Sequence, residues 1–320
     1  MKRKIFFRAD AGQEIGYGHF IRTLALADML RDDFDCTFFT REPSEYQKKE
    51  MSEVCRYVPL PSDDSRFGMF LEYLHGDETV VLDNYFFTTA YQREIRAKGC
   101  TLVCVDDMHD KHYVADVVIN HGAENPSLFS VEPYTRLCLG LGWALLRRPF
   151  LDRPVSGRDR RRDGAVVCFG GSDPDDFTGK TVKSLVDGKN GYLVTAVVGD
   201  AYGYPMPDYG SRVRYLSRLS AEEMADLFSA AELVVCPASS VCIEALFCGA
   251  KVAAGWYVDN QKEFYDCLSR NGSIIPLGRL CGTVPCIPSD AACKGLPAAI
   301  TGIRDNYRLL FGNLSYGKGY

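Results

Sequence analysis

Phe6-Phe7-Arg8-Ala9-Asp10-Ala11-Gly12-Gln13-Glu14-Ile15-Gly16-Tyr17-Gly18-His19 runs from an apolar strand through a polar, glycine-bearing loop to the start of a helix. The strand is Lys4–Phe7. The helix is His19–Leu30, where Ile21, Leu24, Ala25, Ala27 and Met29 give a broad apolar face. The glycines let a ligand approach the backbone. The imidazole at the helix start suits proton transfer near neutral pH.

The same alternation continues outward from this unit. Cys36–Phe39 is the next strand, and Thr79–Leu82 ends on Asp83-Asn84-Tyr85. Thr89–Lys98 reads as a helix with Gly99 at its C-terminus, Thr101–Val105 ends on Asp106-Asp107, and Val117–Ile119 ends on Asn120. Short apolar strands separated by helices predict a parallel sheet buried on both faces. The pattern lapses over Gly140–Gly164, where Pro149, Pro154, Gly157 and the basic Arg158, Arg160, Arg161 and Arg162 form a polar connector. It then resumes with strands at Ala165–Phe169, Tyr192–Val198, Val213–Leu216, Leu233–Cys236 and Lys251–Gly255. Helices are expected at Phe177–Val186, Ser220–Ala231 (a capping box of Ser220 and Glu223), from Ser239-Ser240 to Cys248, at Gln261–Arg270 and at Ile303–Leu310. The fold class is therefore α/β: two Rossmann-like parallel-sheet domains, 1–150 and 151–320, with a cleft between them.

A net charge of −5 gives no nucleic-acid footprint, so no nucleic-acid partner is expected. The basic Met1-Lys2-Arg3-Lys4 is followed only by Ile5-Phe6-Phe7 before Arg8, too short for a signal-peptide core. No apolar run reaches the roughly 20 residues of a membrane span, so no membrane insertion is expected. The 13 cysteines have no C-x-x-C spacing and several sit in strands, as Cys104, Cys168 and Cys236 do. They read as reduced, buried thiols of a cytoplasmic protein. The expected state is a monomer.

Ligands of open α/β sheets bind at the carboxyl ends of strands. In the first domain those ends carry Asp10, Gly16, Gly18, His19, Asn84, Tyr85, Asp106 and Asp107; in the second, Gly170, Gly171, Ser172, Asp173, Ser239, Ser240, Glu244 and Asn260. Gly170-Gly171 can turn backbone N–H groups toward an anion. The helix opened by Ser239-Ser240 can hold a phosphate, and Glu244, one turn on, can accept from a ribose diol. The alternative for these last residues is an N-cap serine with a stabilising glutamate. His109 and His112 superficially suggest a metal site, but Lys111 between them opposes a cation. No P-loop, G-x-S-x-G elbow or G-x-G-x-x-G is present.

Phe7-Arg8-Ala9-Asp10, Ile15-Gly16-Tyr17-Gly18-His19, Arg22, Leu82-Asp83-Asn84-Tyr85, Val105-Asp106-Asp107, Ile119-Asn120, Phe169-Gly170-Gly171-Ser172-Asp173, Ala238-Ser239-Ser240, Glu244-Ala245-Leu246 and Asn260-Gln261 occur in this order. The set, with Gly140 and Ala144-Leu145-Leu146-Arg147 between, resembles the UDP-2,4-diacetamido-2,4,6-trideoxy-β-L-altropyranose hydrolases of pseudaminic acid biosynthesis. That family is similar to MurG-type glycosyltransferases of the GT-B fold. The resemblance implies inverting cleavage of the anomeric C–O bond of a UDP-sugar, without a metal or other cofactor. It makes His19 the base on water and gives Tyr85 a role at the sugar. Glu244 would hold the ribose, Gly170, Gly171, Ser239 and Ser240 the nucleotide and pyrophosphate, and Asn260 would lie near the cleft. Gly16, Gly18 and Arg22 are expected to line the substrate, and Asp10 is the candidate group orienting His19. Residues 272–297 carry cysteine-containing sequence outside the resemblance. A glycosyltransferase of the same fold and a non-catalytic nucleotide-sugar binder are the rival readings.

Overall fold

β1 (Lys4–Arg8), β2 (Asp35–Arg41), β3 (Arg56–Leu60), β4 (Glu78–Leu82) and β5 (Thr101–Val105) are joined by helices and lie parallel. β6 (His112–Tyr113) and β8 (Ser130–Val131) form a separate short ladder, while β7 (Val117–Asn120) and β9 (Arg136–Leu139) extend the main sheet. Its order is β3-β2-β1-β4-β5-β7-β9. The computed structural model describes residues 2–12, 16–152, 162–171, 173–188, 191–199, 201–282, 287, 291–296, 300 and 302–314.

Every residue of β4 and of β5 is buried, which is why these strands read as continuous apolar runs without alternation. Phe7 pairs in register with Phe38 on one side and Val81 on the other. The helices on this sheet are α1 (Gly18–Leu30), α2 (Glu45–Val54), α3 (Ser65–Glu72) and α4 (Thr89–Ala97). α2 and β3 are absent from the sequence expectation for a physical reason. α2 buries only Gln47 and Met51 and is held at its start by a Ser44–Gln47 capping box, so it has almost no apolar period. β3 is an edge strand that carries Pro59, which only an edge tolerates.

After the short α5 (Arg148–Leu151) comes a second parallel sheet. Its strands are β10 (Ala165–Cys168), β11 (Val194–Val197), β12 (Val213–Leu216), β13 (Leu233–Pro237), β14 (Lys251–Trp256) and β15 (Ile275–Arg279), in the order β12-β11-β10-β13-β14-β15. α6 (Phe177–Asp187), α7 (Ala221–Ala230), α8 (Ser240–Phe247) and α9 (Asp259–Arg270) connect them. The Ser220–Glu223 capping box forms as its residues dictate. β15 is disguised in sequence by Pro276 and by Gly278 at φ +72°, beside a register shift in β14.

The chain divides into two compact units, Met1–Arg148 with Thr301–Tyr320, and Pro149–Ile300. A boundary at 150/151 puts the last helix with the second domain; in the structure α10 (Ile303–Asn313) belongs to the first unit. Tyr307 packs edge-on against Trp143 at 5.4 Å and donates to its carbonyl at 2.5 Å, and Phe311 meets Phe34 at 6.4 Å. An amphipathic period shows that α10 covers something apolar but not which sheet supplies it. Of the connector arginines, Arg158, Arg160 and Arg161 lie outside the described residues; Arg162 donates to the Cys248 carbonyl at 2.8 Å, closing the end of α8.

Candidate active site

Strand order in the first sheet reverses between β1 and β4, so their carboxyl ends flank the crevice where α/β sheets bind ligands. Asn84 stitches the two ends: its Oδ1 accepts from the Asp10 N–H at 2.7 Å, and its Nδ2 donates to the Asp10 carbonyl at 3.3 Å. The glycine loop closes on itself through Gly16 N–H to the Gly12 carbonyl at 2.8 Å. Gly16 sits at φ +77°, a conformation other side chains resist, and a Cβ at either Gly16 or Gly18 would meet open space. Among the described residues no side chain caps the N-terminus of α1.

His19, in the first turn of α1, is buried. Its Nδ1 lies 2.7 Å from Asp83 Oδ1. Arg22 Nη2 also lies 3.0 Å from this nitrogen. Asp83 can only accept, so a hydrogen bond along the 2.7 Å contact requires the proton on Nδ1. Asp83 also accepts from Arg22 Nε at 2.7 Å, Arg22 Nη2 at 2.6 Å and Thr23 Oγ1 at 2.7 Å. Burial pushes the Asp83 carboxyl upward, but the Arg22 guanidinium, with His19 and these hydrogen bonds, outweighs it and holds Asp83 well below the usual carboxylate range. The result is an imidazole against a buried carboxylate, with a buried cation that keeps the carboxylate ionised.

One expectation changes here. Asp10 does not orient His19. Its carboxylate is paired with the Arg8 guanidinium, with Arg8 Nη2 at 2.9 Å from Oδ2, and its Oδ1 accepts from the Arg41 N–H at 2.7 Å. Arg22 is buried and lines the same pocket as His19, with its guanidinium spanning two carboxylates: besides Asp83, its Nη1 donates to Asp107 Oδ2 at 2.7 Å. The carboxylate that contacts His19 is Asp83, which the sequence reading did not single out. Its signal was a carboxylate directly after the apolar run Val80-Val81-Leu82.

Tyr85 is 42% exposed and sets its ring edge-on to His19 at 4.6 Å. Its hydroxyl donates to Asp107 Oδ2 at 3.3 Å. Lys111 reaches back to the Tyr85 carbonyl at 2.9 Å. His19, Tyr85, Asp107 and Lys111 thus line one pocket, together with Asp83 and Asp106. The loop bearing Lys111 is a wall of that pocket, ordered by Asp106, which accepts from the His109 N–H at 2.9 Å and the Tyr113 hydroxyl at 2.5 Å. His112 instead bridges Ser130 at 2.9 Å and Glu132 at 3.1 Å. Among the described residues no three His, Cys, Asp or Glu side chains converge to hold a metal ion, and no helix is long and apolar enough to cross a membrane.

His121 follows β7 and is buried near this network. Burial, and then the Arg22 charge, push its imidazole down to about 4. The folded state therefore refuses a proton that the unfolded chain accepts at about 6.5. Stability from a neutral His121 is full above pH 6.5 and is lost as pH falls toward 4. Over that window the loss is about 3 kcal/mol at ~1.4 kcal/mol per unit. His121→Gln is expected to flatten this part of the stability profile, as measured by urea unfolding at each pH; an unchanged slope would refute it.

In the second sheet the order reverses between β10 and β13. After β10, Gly170 adopts φ +86° and both Gly170 and Gly171 have open space where a Cβ would stand. The Gly171 carbonyl lies 2.1 Å from a Cβ built at Gly199, so the turn closes only over glycine there. Ser172 lies outside the described residues. The start of α6 is already satisfied: Asp173 accepts from Phe177 N–H at 2.9 Å and Thr178 N–H at 2.7 Å. α8 after β13 is different. At its start the Ser239 N–H donates to the Pro237 carbonyl at 2.8 Å and the Cys242 N–H to the Ser239 carbonyl at 2.9 Å, while the side chain of the N-cap Ser239 makes no cap bond among the described residues. Ser239 and Ser240 are half-buried at the start of α8. Glu244 is buried in α8, and Asn260 lies in the first turn of α9.

Compared with known proteins, the chain matches no family model. It is 25% identical over 280 residues to an uncharacterized protein of Methanocaldococcus jannaschii, covering 82% of this chain and 57% of that protein, so it spans little more than half the length of that relative. It is 22% identical over 286 residues to the UDP-2,4-diacetamido-2,4,6-trideoxy-β-L-altropyranose hydrolase of Campylobacter jejuni, covering 84% of this chain and 97% of that enzyme. Among solved structures it is similar to Acinetobacter baumannii MurG (TM-score 0.54, 13% identity, 86% of each chain). It is also similar to Arabidopsis thaliana UGT89C1 complexed with UDP (TM-score 0.61, 13% identity, 90% of this chain and 88% of that one). With its two parallel switch-point sheets, the chain has the GT-B fold, built of two Rossmann-like domains.

Proposed function

We propose that this chain hydrolyses a UDP-linked diacetamido-trideoxyhexose, UDP-2,4-diacetamido-2,4,6-trideoxy-β-L-altropyranose, to UDP and the free sugar in pseudaminic acid biosynthesis. The observation that carries the reading is the His19–Asp83 pair at the switch point of the first sheet. Nε2 of His19 takes a proton from water as the water oxygen bonds to the anomeric carbon. The bond from that carbon to the β-phosphate oxygen breaks, and its electron pair leaves with UDP. Attack opposite the leaving group inverts the centre. A positioned base of this kind is worth about 10²–10⁴-fold. The nucleotide is assigned to the second unit, with the pyrophosphate at the start of α8, whose N–H groups take up the charge that develops on it. Similarity to the Campylobacter hydrolase over nearly its whole length supports the substrate class.

The second reading, transfer of the sugar to an acceptor, draws support from the likeness to MurG. Incubation with candidate UDP-sugars, followed by NMR, separates the two. Free sugar released without an acceptor supports hydrolysis; turnover only with an acceptor means transfer; tight binding without turnover means neither. Ser239→Asp tests the pyrophosphate assignment. Its carboxylate would cap α8 from within and repel an anion, so UDP affinity by calorimetry is expected to fall at least about 10-fold while helix stability holds or rises. Unchanged UDP affinity would move the pyrophosphate elsewhere.

A further inference from the structure

We infer that Arg41 is a specificity-determining residue that binds the sugar, its guanidinium donating to an acetamido carbonyl. The inference rests on the proposed reading that the first unit holds a diacetamido sugar. Arg41 is the last residue of β2, at the carboxyl end of the first sheet. Its Nη2 lies 3.6 Å from a Cβ built at Gly12. Gly12 is joined to Gly16 by the backbone bond that closes the glycine loop, so the guanidinium stands beside the loop that leads to His19 and leaves open space at Gly16 and Gly18. Among the described residues this guanidinium has no hydrogen bond or ion pair. Arg41 is half-buried, and none of its nitrogens is sealed from solvent. Neighbouring arginines are already engaged: Arg8 pairs with Asp10, Arg22 spans Asp83 and Asp107, and Arg66 Nη1 donates to Asp64 at 2.9 Å.

The backbone that carries this arm is pinned on both sides. The Arg41 N–H donates to Asp10 Oδ1 at 2.7 Å, and Asp10 is itself bound through Asn84 to the end of β4. Glu42, next in the chain, adopts φ +32°, which strains a residue with a side chain, and its N–H donates to the Leu60 carbonyl at 3.1 Å. Such strain persists where the surroundings over-determine the backbone, as they do here. Asp10 is thus a positioning residue for Arg41. A guanidinium offers donors only, so it selects acceptors. A diacetamido sugar carries no charge, and its amide oxygens are its strongest acceptors. Hydrogen bonds from a charged donor are the stronger kind, and a sugar lacking the acceptor leaves that donor unpaired, the situation in which polar sites discriminate best.

The test is a double-mutant cycle between Arg41 and the sugar. UDP-linked diacetamido sugars are prepared with each acetamido group in turn replaced by hydrogen, and kcat/KM is measured with wild type, Arg41→Ala and Arg41→Lys. Wild type is expected to lose about 10- to 100-fold on one member. Arg41→Ala is expected to lose about as much on the parent sugar and to penalise that member at least about 10-fold less than wild type does. Arg41→Lys keeps the charge without the planar fork and should recover part of the parent turnover. UDP affinity by calorimetry is expected to be unchanged in both variants. Because the guanidinium supports no contact of the fold, their urea midpoints should match wild type. Equal penalties on every member in wild type and Arg41→Ala, or wild-type turnover by Arg41→Ala, overturn the inference. A fall in UDP affinity also overturns it, by giving the guanidinium to a phosphate. If wild type releases no free sugar, the hydrolase reading fails separately, and calorimetric binding of the same set to wild type and Arg41→Ala still reports whether Arg41 and an acetamido group are coupled.

Discussion

Replacing His19 by Asn or Ala is expected to lower UDP release by about 10²–10⁴-fold while leaving UDP affinity essentially unchanged. The imidazole Nε2 is the basic atom left available by the Nδ1–Asp83 bond, and neither replacement supplies a base there. Binding should persist because the nucleotide is assigned to the second unit, which contains neither His19 nor its partners. Steady-state turnover with calorimetry of UDP checks both halves. Near-normal turnover in either variant would remove His19 as the base, and parallel loss of UDP affinity would move the nucleotide site.

The second large effect is at Asp83. Asp83→Asn keeps the shape but changes the chemistry twice. An amide can donate to His19 Nδ1, favouring the tautomer with its proton on Nε2, where no base remains; the expected loss in kcat is on the order of 10⁴-fold. It also removes one of the two carboxylates that pair the buried Arg22, leaving Asp107 as the other. Breaking a buried ion pair from one side costs up to about 3–5 kcal/mol when the remaining charge is left uncompensated; with Asp107 still paired to Arg22 a smaller fall in the urea midpoint is expected. The same pair sets the acid limit. Because Asp83 is held below its unfolded value, its contribution is full above about pH 4 and is lost as pH falls below that. A variant as stable as wild type with full turnover would show that Asp83 is neither brace nor orienter.

Much of this was legible in the residues. Unbroken apolar strands such as Thr79–Leu82 and Thr101–Val105 can only belong to a sheet covered on both faces, and periodicity reads that directly. The Ser220–Glu223 capping box is likewise a local device. Elements stabilised by context were not legible. α2 has little apolar face, and β15 carries a proline and a left-handed glycine, so each depends on neighbours distant in sequence.

The opening loop shows where the division falls. The sequence alone determined that a histidine follows glycines at a helix start behind a parallel strand, because strand, turn and helix propensities are local. Which carboxylate serves that histidine was decided by tertiary structure. Asp10 is nine residues from His19, yet it is consumed by Arg8 and the Arg41 backbone. Asp83 is 64 residues away and arrives because β4 pairs with β1 across the point where strand order reverses. Strand pairing, a long-range choice made by burial of both sheet faces, brought His19 and Asp83 together. The same pairing turned Arg22 inward as the brace between Asp83 and Asp107.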